Sequence, residues 1–199
     1  MTFYKCLKAF LRFLFLPLFR VKIIGAENFA QEGGCILYAN HYSNWDPLFM
    51  HLAINRKPRF MAKSELFKNA FLRAIVTFFG AFPVERGKGD FAALKNAFSA
   101  VENGDVVGIY PEGTRSKNGQ INGFHSGVSI IAIRTGAKAY PMYISGRFRL
   151  FKRTYMVFGE PVDIKEKFGN IKLSDHDEMR RATEYLREEL IKLKSEAKA

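Results

Sequence analysis

The chain has 199 residues, of which 48% are hydrophobic and 25% charged, a composition that fits one globular domain and excludes intrinsic disorder. Lysine and arginine total 31 against 19 acidic residues, and the resulting net charge of +12 predicts an anionic partner, either nucleic acid or an anionic membrane surface. The 20 phenylalanines favour the membrane, because they exceed what a nucleic-acid module needs for base stacking.

Residues 1–20 are the first predicted element, an amphipathic and aromatic-rich helix. Lys5, Lys8 and Arg12 recur in it at helical spacing among phenylalanines and leucines. The uncharged run 13–19 is too short to cross a bilayer, which takes about 20 apolar residues. We therefore expect a helix that lies in the membrane interface with its cations at the headgroups. The alternative is an ordinary helix packed on the domain core.

After this segment, short β-rich apolar runs alternate with amphipathic helices, which predicts an α/β fold with a mostly parallel sheet flanked by helices. Residues 21–199 are expected to form one domain, to which residues 1–20 add an N-terminal membrane-associating segment. The predicted strands cover 35–39, 81–84, 106–110, 139–145 and 155–158. The predicted helices cover 46–54, 64–79, 90–104, 125–135 and 174 onward.

The motifs of several common enzyme classes do not occur in the sequence. It contains no G-x-S-x-G nucleophile elbow, Walker A loop, H-E-x-x-H or C-x-x-C, and we expect neither a bound metal nor a cofactor. Cys6 and Cys35 are the two cysteines. They are too few for a disulfide framework or a zinc site, which favours a reducing compartment.

Of the four histidines, His41 is the one that directly follows a buried predicted strand. The carboxyl ends of strands are where open α/β sheets place their ligands. Asp46 lies five residues further on, across a turn, and could accept a hydrogen bond from one imidazole nitrogen while the other acts as a base. The alternative is that Asp46 caps its helix and that His41 is a polar loop residue.

Two further polar loops leave strand ends, V-E-R-G at 84–87 and Y-P-E-G-T-R-S at 110–116. Arg86 and Arg115 suit bidentate phosphate recognition. Gly87 follows Arg86 in the first loop, and Gly113 precedes Arg115 in the second. These glycines let backbone N–H groups approach the same anion. Taken alone, each loop is typical of a turn with a solvated arginine. Two such loops beside a histidine and an aspartate indicate a phosphate site.

These segments together resemble the conserved blocks of a known family. N-H-Y-S-N-W-D at 40–46 resembles the NHx4D block of the glycerolipid acyltransferases, and 84–87 and 110–116 resemble the second and third blocks. Tyr140-Pro141-Met142-Tyr143 occupies the place of the fourth, proline-containing block. The order and spacing match from about residue 21 to 163. The length and the short N-terminal segment look most like the bacterial 1-acylglycerol-3-phosphate acyltransferases.

The resemblance implies a mechanism. His41, oriented by Asp46, takes the proton from the 2-hydroxyl of 1-acylglycerol-3-phosphate (lysophosphatidic acid), and the alkoxide attacks the thioester of acyl-CoA or acyl carrier protein. The product is phosphatidic acid, made in phospholipid biosynthesis without an acyl-enzyme intermediate. Pro141 is expected to shape the acyl-donor side. The residues that the resemblance assigns to the phosphate and glycerol are Arg86, Gly87, Glu112, Gly113, Thr114 and Arg115.

The segment 147–153 extends the membrane hypothesis, because its cations alternate with apolar residues as in segments that press into an anionic lipid surface. The alternative is a solvated loop. The expected location is the cytoplasmic face of the cell membrane, as a monotopic or peripheral protein. Nucleic acid is not an expected partner, since no recognised nucleic-acid motif occurs.

Two other functions stay open. One is the same chemistry on a different acceptor: glycerol-3-phosphate, a lysophospholipid with a larger headgroup, or a lyso-aminolipid. The other is a non-catalytic protein that binds anionic lipid. Replacing His41 discriminates between catalysis and lipid binding, because it abolishes only the first.

Overall fold

A seven-stranded sheet with helices on both faces makes up the part of the chain that the computed structural model describes, residues 2–84 and 91–197. This architecture confirms the predicted α/β class. The strands are β1 (Val21–Ile24), β2 (Cys35–Ala39), β3 (Pro58–Lys63), β4 (Phe82–Val84), β5 (Val106–Ile109), β6 (Ala139–Ile144) and β7 (Thr154–Phe158). The helices are α1 (Thr2–Leu18), α2 (Asp46–Ala53), α3 (Ala70–Phe78), α4 (Phe91–Glu102), α5 (Gly127–Thr135), α6 (Ile164–Phe168) and α7 (His176–Glu196).

β2 lies at the centre of the sheet, whose strand order is β1-β7-β6-β2-β5-β3-β4. Neighbouring strands run parallel except β6 and β7, which are antiparallel. In register, Leu37 of β2 is opposite Gly108 of β5 and Tyr140 of β6. The carboxyl ends of β2 and β5 therefore meet at one edge of the sheet, the edge at which ligands bind in open α/β folds.

The side chains of β2 alternate between two hydrophobic cores, one on each face of the sheet. Ile36 and Tyr38 pack with residues of α4, α5 and α7. Leu37 and Ala39 pack with residues of α2 and with Phe19, which follows α1. Both faces of β2 are covered, so the strand is apolar throughout. This apolar run is the pattern from which β2 is predicted. We call the two sides of the sheet the α1–α2 face and the α7 face.

Four elements differ from the sequence predictions, of which β1 and α6 are short elements that were not predicted. The predicted helix 64–79 is a 3₁₀ turn at Ser64–Phe67 followed by α3. The break occurs because the Asn69 side chain accepts two backbone hydrogen bonds and so begins a new helix. β3 has no counterpart among the predicted strands, because the exposed cations Arg59 and Lys63 interrupt its apolar pattern.

α1 packs against α2 with one side and leaves its other side exposed. Lys8 lies on the packed side, where its Nζ donates a hydrogen bond of 2.9 Å to the carbonyl of Arg56. Burial, with the nearby charge of Arg12, lowers the pKa of Lys8 to about 8. On this side the helix therefore packs on the domain core, as in the alternative, and the place of the helix in a membrane interface stays a prediction.

α3 continues the exposed side of α1. The rings of Phe3 and Tyr4 lie 6.2 and 5.9 Å from the ring of Phe78, so the two helices are in contact. In the described part of the chain, no helix has both the length and the apolar character needed to cross a membrane. We call the exposed apolar side chains of the two helices the α1–α3 surface: Phe3, Phe10, Phe13, Leu14, Phe71, Leu72 and Ile75.

The basic segment 147–153 is only partly exposed. Phe148 is buried, with its ring stacked on Phe49 of α2 at 3.8 Å, so the expectation that it presses into a lipid surface is wrong. Phe151 is exposed, and its N–H donates a hydrogen bond of 2.9 Å to the carbonyl of Leu18. The exposed part of the segment thus lies beside the end of α1.

Candidate active site

His41 and Asp46 come together at the carboxyl end of β2. Nδ1 of His41 lies 2.8 Å from Oδ2 of Asp46, and both side chains are buried, with 10% and 0% of their areas exposed. An ionised carboxylate only accepts hydrogen bonds, so the imidazole proton lies on Nδ1 and the lone pair on Nε2. The structure therefore gives His41 the geometry of an oriented general base.

Asp46 does not cap α2 in the way the alternative interpretation requires. It is the first residue of the helix, and its side chain turns back towards the preceding loop. Oδ2 accepts hydrogen bonds from the N–H groups of Tyr42 at 2.6 Å and Ser43 at 2.8 Å, and Oδ1 accepts one from the Ser43 hydroxyl at 2.7 Å. These donors, together with His41, hold the carboxylate in one position and stabilise its charge.

Asn40 and Tyr110 also hold His41 in place, although neither was predicted as a site residue from the sequence. The Tyr110 ring stacks on the imidazole, with centroids 4.3 Å apart and planes 19° apart. Asn40 exchanges two hydrogen bonds of 2.9 and 2.8 Å with the backbone of Ile144, which ties the end of β2 to β6. The available signal was position, since both residues stand inside the blocks that contain His41 and Glu112.

Glu112 is buried and bonded within the protein. Its Oε1 accepts a hydrogen bond of 3.0 Å from the N–H of His41. Its Oε2 accepts hydrogen bonds from the backbone N–H and the side-chain Nδ2 of Asn122, at 2.9 and 2.8 Å. Both oxygens are thus engaged within the protein, and 3% of the residue is exposed. The structure shows Glu112 bonded to the backbone of His41, and the substrate contact that the resemblance implies stays a prediction.

Gly113 and Thr114 follow Glu112 in a tight turn. The N–H of Gly113 donates to the carbonyl of Tyr110 at 3.0 Å. The φ angle of Gly113 is +66°, and a Cβ there would come within 2.8 Å of the His125 ring, so this position requires glycine. Thr114 is exposed, and its side chain is open to a ligand.

Arg115 lies beside the loop that connects His41 to Asp46. Its Nη1 donates a hydrogen bond of 3.1 Å to Oδ1 of Asn44. A guanidinium has five N–H donors, so most of them stay free for a phosphate. The next residue, Ser116, donates its N–H to the carbonyl of His41 at 2.7 Å. The third block is therefore fastened to the first.

Pro141 is not brought to His41. It lies in β6 opposite Tyr38, and its carbonyl accepts a hydrogen bond of 3.0 Å from the N–H of Gly159. Because paired residues of neighbouring strands point to the same side, its ring lies on the α7 face, whereas His41 contacts α2. Most of the second block, at 85–87 with Arg86 and Gly87, and the predicted start of the helix at 90 lie outside the described residues.

Comparison with known proteins identifies a family and a fold. The sequence model of the family described as Acyltransferase matches residues 20–145, which include His41, Asp46 and the third block. The crystal structure of the 1-acyl-sn-glycerophosphate (LPA) acyltransferase PlsC from Thermotoga maritima matches with a TM-score of 0.72 over 96% of this chain and 81% of that one, at 24% identity. The two proteins share their fold.

Named relatives are similar in sequence over part of their length. A 1-acyl-sn-glycerol-3-phosphate acyltransferase from Streptococcus pneumoniae is 32% identical over 143 residues, which cover 68% of this chain and 53% of that protein. The enzyme of the same name from Bacillus subtilis is 29% identical over 71% of this chain and 73% of that protein. A chloroplastic one from Brassica napus is 29% identical over 65% of this chain and 38% of that protein. The chain thus spans 38% of the Brassica napus protein, 53% of the Streptococcus pneumoniae protein and 37% of a similar chloroplastic protein from Arabidopsis thaliana.

Proposed function

The chain belongs to the acyltransferase family, and on this premise we propose that it transfers an acyl chain to the 2-hydroxyl of 1-acylglycerol-3-phosphate, giving phosphatidic acid. The donor is an acyl thioester, either acyl-CoA or acyl carrier protein, and no other cofactor takes part. The pair of His41 and Asp46 carries the proposal, because it presents a basic nitrogen at the carboxyl edge of the sheet. The printed names of the bacterial and chloroplastic relatives support this acceptor.

In the proposed reaction His41 carries one proton from the acceptor to the leaving group. Its Nε2 takes the proton of the 2-hydroxyl while the oxygen attacks the thioester carbonyl. The tetrahedral intermediate then breaks its carbon–sulfur bond, and the imidazolium returns the proton to the departing sulfur. Asp46 stabilises the imidazolium while it exists, because its carboxylate lies 2.8 Å from Nδ1.

The acceptor phosphate lies, in this proposal, against the exposed end of the third block. Arg115 offers its free guanidinium donors, and the exposed hydroxyl of Thr114 contacts the glycerol or phosphate. Arg86 and Gly87 are further proposed phosphate ligands on the strength of the resemblance. Holding the phosphate fixes the position of the 2-hydroxyl relative to His41, and this positioning supplies part of the rate enhancement.

We also propose that the protein binds the cytoplasmic face of an anionic membrane through the α1–α3 surface. Exposed phenylalanines on two adjoining helices lose water contact when they enter the headgroup boundary. The net charge of +12 attracts the protein to anionic lipid, and nucleic acid is not a proposed partner. An acceptor that resides in the bilayer is then within reach.

Replacing the proposed base tests the reaction. We expect His41→Ala to lower the rate of phosphatidic acid formation by about 10²- to 10⁴-fold, because general-base catalysis contributes that much. The assay follows thiol release from acyl-CoA with and without lysophosphatidic acid, and detects phosphatidic acid directly. His176→Ala is the matched control, because His176 is exposed at the start of α7.

Full activity of the His41→Ala variant would contradict the mechanism. Acceptor-independent thiol release would contradict the transfer reaction itself. The same assay with acyl carrier protein, and with glycerol-3-phosphate, larger lysophospholipids and lyso-aminolipids as acceptors, identifies the substrates. Binding to vesicles without any transfer in the wild type would favour the non-catalytic lipid-binding function.

A further inference from the structure

A cleft of about 300 Å³ opens on the α7 face, close to the proposed base. Four segments form it: the loop after β2, the loop after β5, the end of β6 with the residues that follow it, and the end of α7. Tyr42 and Tyr143 line it, and the Tyr42 hydroxyl donates a hydrogen bond of 3.0 Å to the carbonyl of Gly119. Ser116, another lining residue, is bonded through its N–H to the carbonyl of His41 at 2.7 Å. The cleft therefore begins one residue away from His41.

The charges in this cleft favour an anion. Three of its four segments contribute one cation each, namely Lys117, Arg147 and Lys194. Among the described residues that line the cleft, none carries a carboxylate. Nζ of Lys194 donates to the carbonyl of Gly119 at 3.1 Å, which holds the ammonium at the cleft and leaves two N–H donors for a ligand. A guanidinium such as that of Arg147 binds phosphate at two points.

The position of the cleft distinguishes it from the proposed acceptor site, and its side formed by Tyr143 and Lys194 lies away from the α1–α3 surface. Lys194 belongs to α7, and α7 covers the face of the sheet opposite to the one on which α1 and α2 pack. Of the described residues, those that line the cleft do not include Thr114 or Arg115. The acceptor is an amphiphile that enters from the bilayer, whereas an acyl donor carries its phosphate on a water-soluble carrier. A basic cleft on the face away from the α1–α3 surface matches the donor.

We propose that this cleft binds a phosphate of the acyl donor and so directs the phosphopantetheine arm, with its thioester, towards His41. The inference rests on the acyl transfer proposed above. Acyl-CoA and acyl carrier protein both carry a phosphate at the end of this arm, so either source fits the chemistry. The volume lies at the lower end of small-molecule sites, which span about 300–1,000 Å³, and accommodates a phosphate with part of the arm. Pro141, two residues before Tyr143, lies on the same face of β6.

The test compares a double variant of the cleft with a control of equal charge. Lys117→Ala/Arg147→Ala removes two cleft cations, and Lys165→Ala/Lys172→Ala removes two exposed cations near α6. Binding of free CoA is measured by calorimetry, and KM is measured separately for acyl-CoA, acyl carrier protein and lysophosphatidic acid. We expect the cleft variant to raise the Kd of CoA and the KM of the donor about tenfold or more, because it loses charge-assisted hydrogen bonds. The acceptor KM of the cleft variant stays within twofold of the wild-type value. In the control variant, the Kd of CoA and all KM values also stay within twofold.

Each outcome decides the proposal. A rise with both donors locates the phosphate of the shared arm, and a rise with acyl-CoA alone locates the nucleotide phosphates of CoA; both support donor binding. A rise in the acceptor KM with an unchanged donor KM overturns the proposal and assigns the cleft to the acceptor phosphate. Unchanged CoA binding overturns it as well. If the wild type transfers no acyl group, the proposed function fails, and the CoA titration still tests the cleft independently.

Discussion

At the scale of single residues, the site depends on buried carboxylates that bond to the backbone of the loop carrying His41. Asp46 accepts from the N–H groups of Tyr42 and Ser43, and Glu112 accepts from the N–H of His41. An exposed glutamate would be free to contact a substrate, but 3% exposure and three internal hydrogen bonds assign Glu112 to the protein. We therefore expect Glu112 to affect catalysis through the position of His41.

Glu112→Gln tests this positioning role. A glutamine amide cannot accept on both sides, so either the N–H of His41 or the donors of Asn122 lose their partner. We expect the free energy of unfolding to fall by about 1–3 kcal/mol, because a buried group is left unpaired. kcat falls with it while the acceptor KM stays near the wild-type value. Steady-state kinetics and urea unfolding measure both quantities, and Glu160→Gln, at an exposed position, is the control. A rise in the acceptor KM at unchanged stability would identify Glu112 as a substrate ligand.

At the scale of elements, the docking of α1 on α2 buries titratable groups. The hydroxyl of Tyr4 lies 3.0 Å from Nδ1 of His51, and Lys8 and Lys57 lie near the same ring. Burial, with the charge of Lys8, lowers the pKa of His51 to about 3. Between about pH 3 and pH 6.5 the imidazole is thus neutral in the folded protein but protonated in the unfolded chain. Stability contributed by this group is present above pH 6.5 and is lost as the pH falls towards 3.

This linkage predicts an acid-dependent loss of stability that is specific to His51. Between pH 6.5 and pH 4 the titration of His51 lowers the free energy of unfolding by about 3 kcal/mol, at roughly 1.4 kcal/mol per pH unit. In His51→Asn an amide oxygen replaces the Nδ1 acceptor and does not titrate. The free energy of unfolding in urea, measured for both proteins at the two pH values, checks the prediction. Equal pH dependence in the two proteins would show that His51 does not titrate in this way.

The α1–α3 surface gives a second prediction at this scale. We expect Phe13→Ser and Phe71→Ser each to weaken binding to phosphatidylglycerol vesicles about tenfold, since burying a phenylalanine contributes about 1.5–3 kcal/mol. Both residues are more than 70% exposed. Phe91→Ser is the matched control, because Phe91 is 84% exposed but belongs to α4 on the opposite face. Cosedimentation with the vesicles measures binding. Equal weakening by the control variant would show that the α1–α3 surface is not the membrane-binding surface.

At the scale of the whole molecule, the two proposed substrates approach from opposite sides of the sheet. The α1–α3 surface lies on the side of the α1–α2 face, and the basic cleft opens on the α7 face. His41 lies between them at the carboxyl end of β2. If both proposals hold, the sheet separates a lipid side from an aqueous side, and the acyl chain is transferred where β2 ends.

The sequence is sufficient to predict the parts of this arrangement that depend on local pattern. β2 is predicted by its apolar run. The spacing of His41 and Asp46 allows their pairing but equally allows a helix cap, and the family resemblance is what favours the pairing. The bond between His41 and Glu112 and the stacking of Tyr110 join residues about 70 positions apart, which no local pattern reports. The cleft draws cations from three separate segments, so it also became visible only in the folded structure.

The pairing of β1 with β7 has a consequence for synthesis of the protein. Val21 lies beside Thr154, so the strand that follows α1 has no neighbour until most of the chain has left the ribosome. At about 5–20 residues per second, translation takes on the order of ten seconds to cover that interval. During this time α2, which is synthesised early, can cover one side of α1, whereas phenylalanines on the other side, such as Phe10 and Phe13, stay exposed to a bilayer or a chaperone. The order of strands in the sheet therefore allows the N-terminal helix to reach a membrane before the domain that it serves has folded.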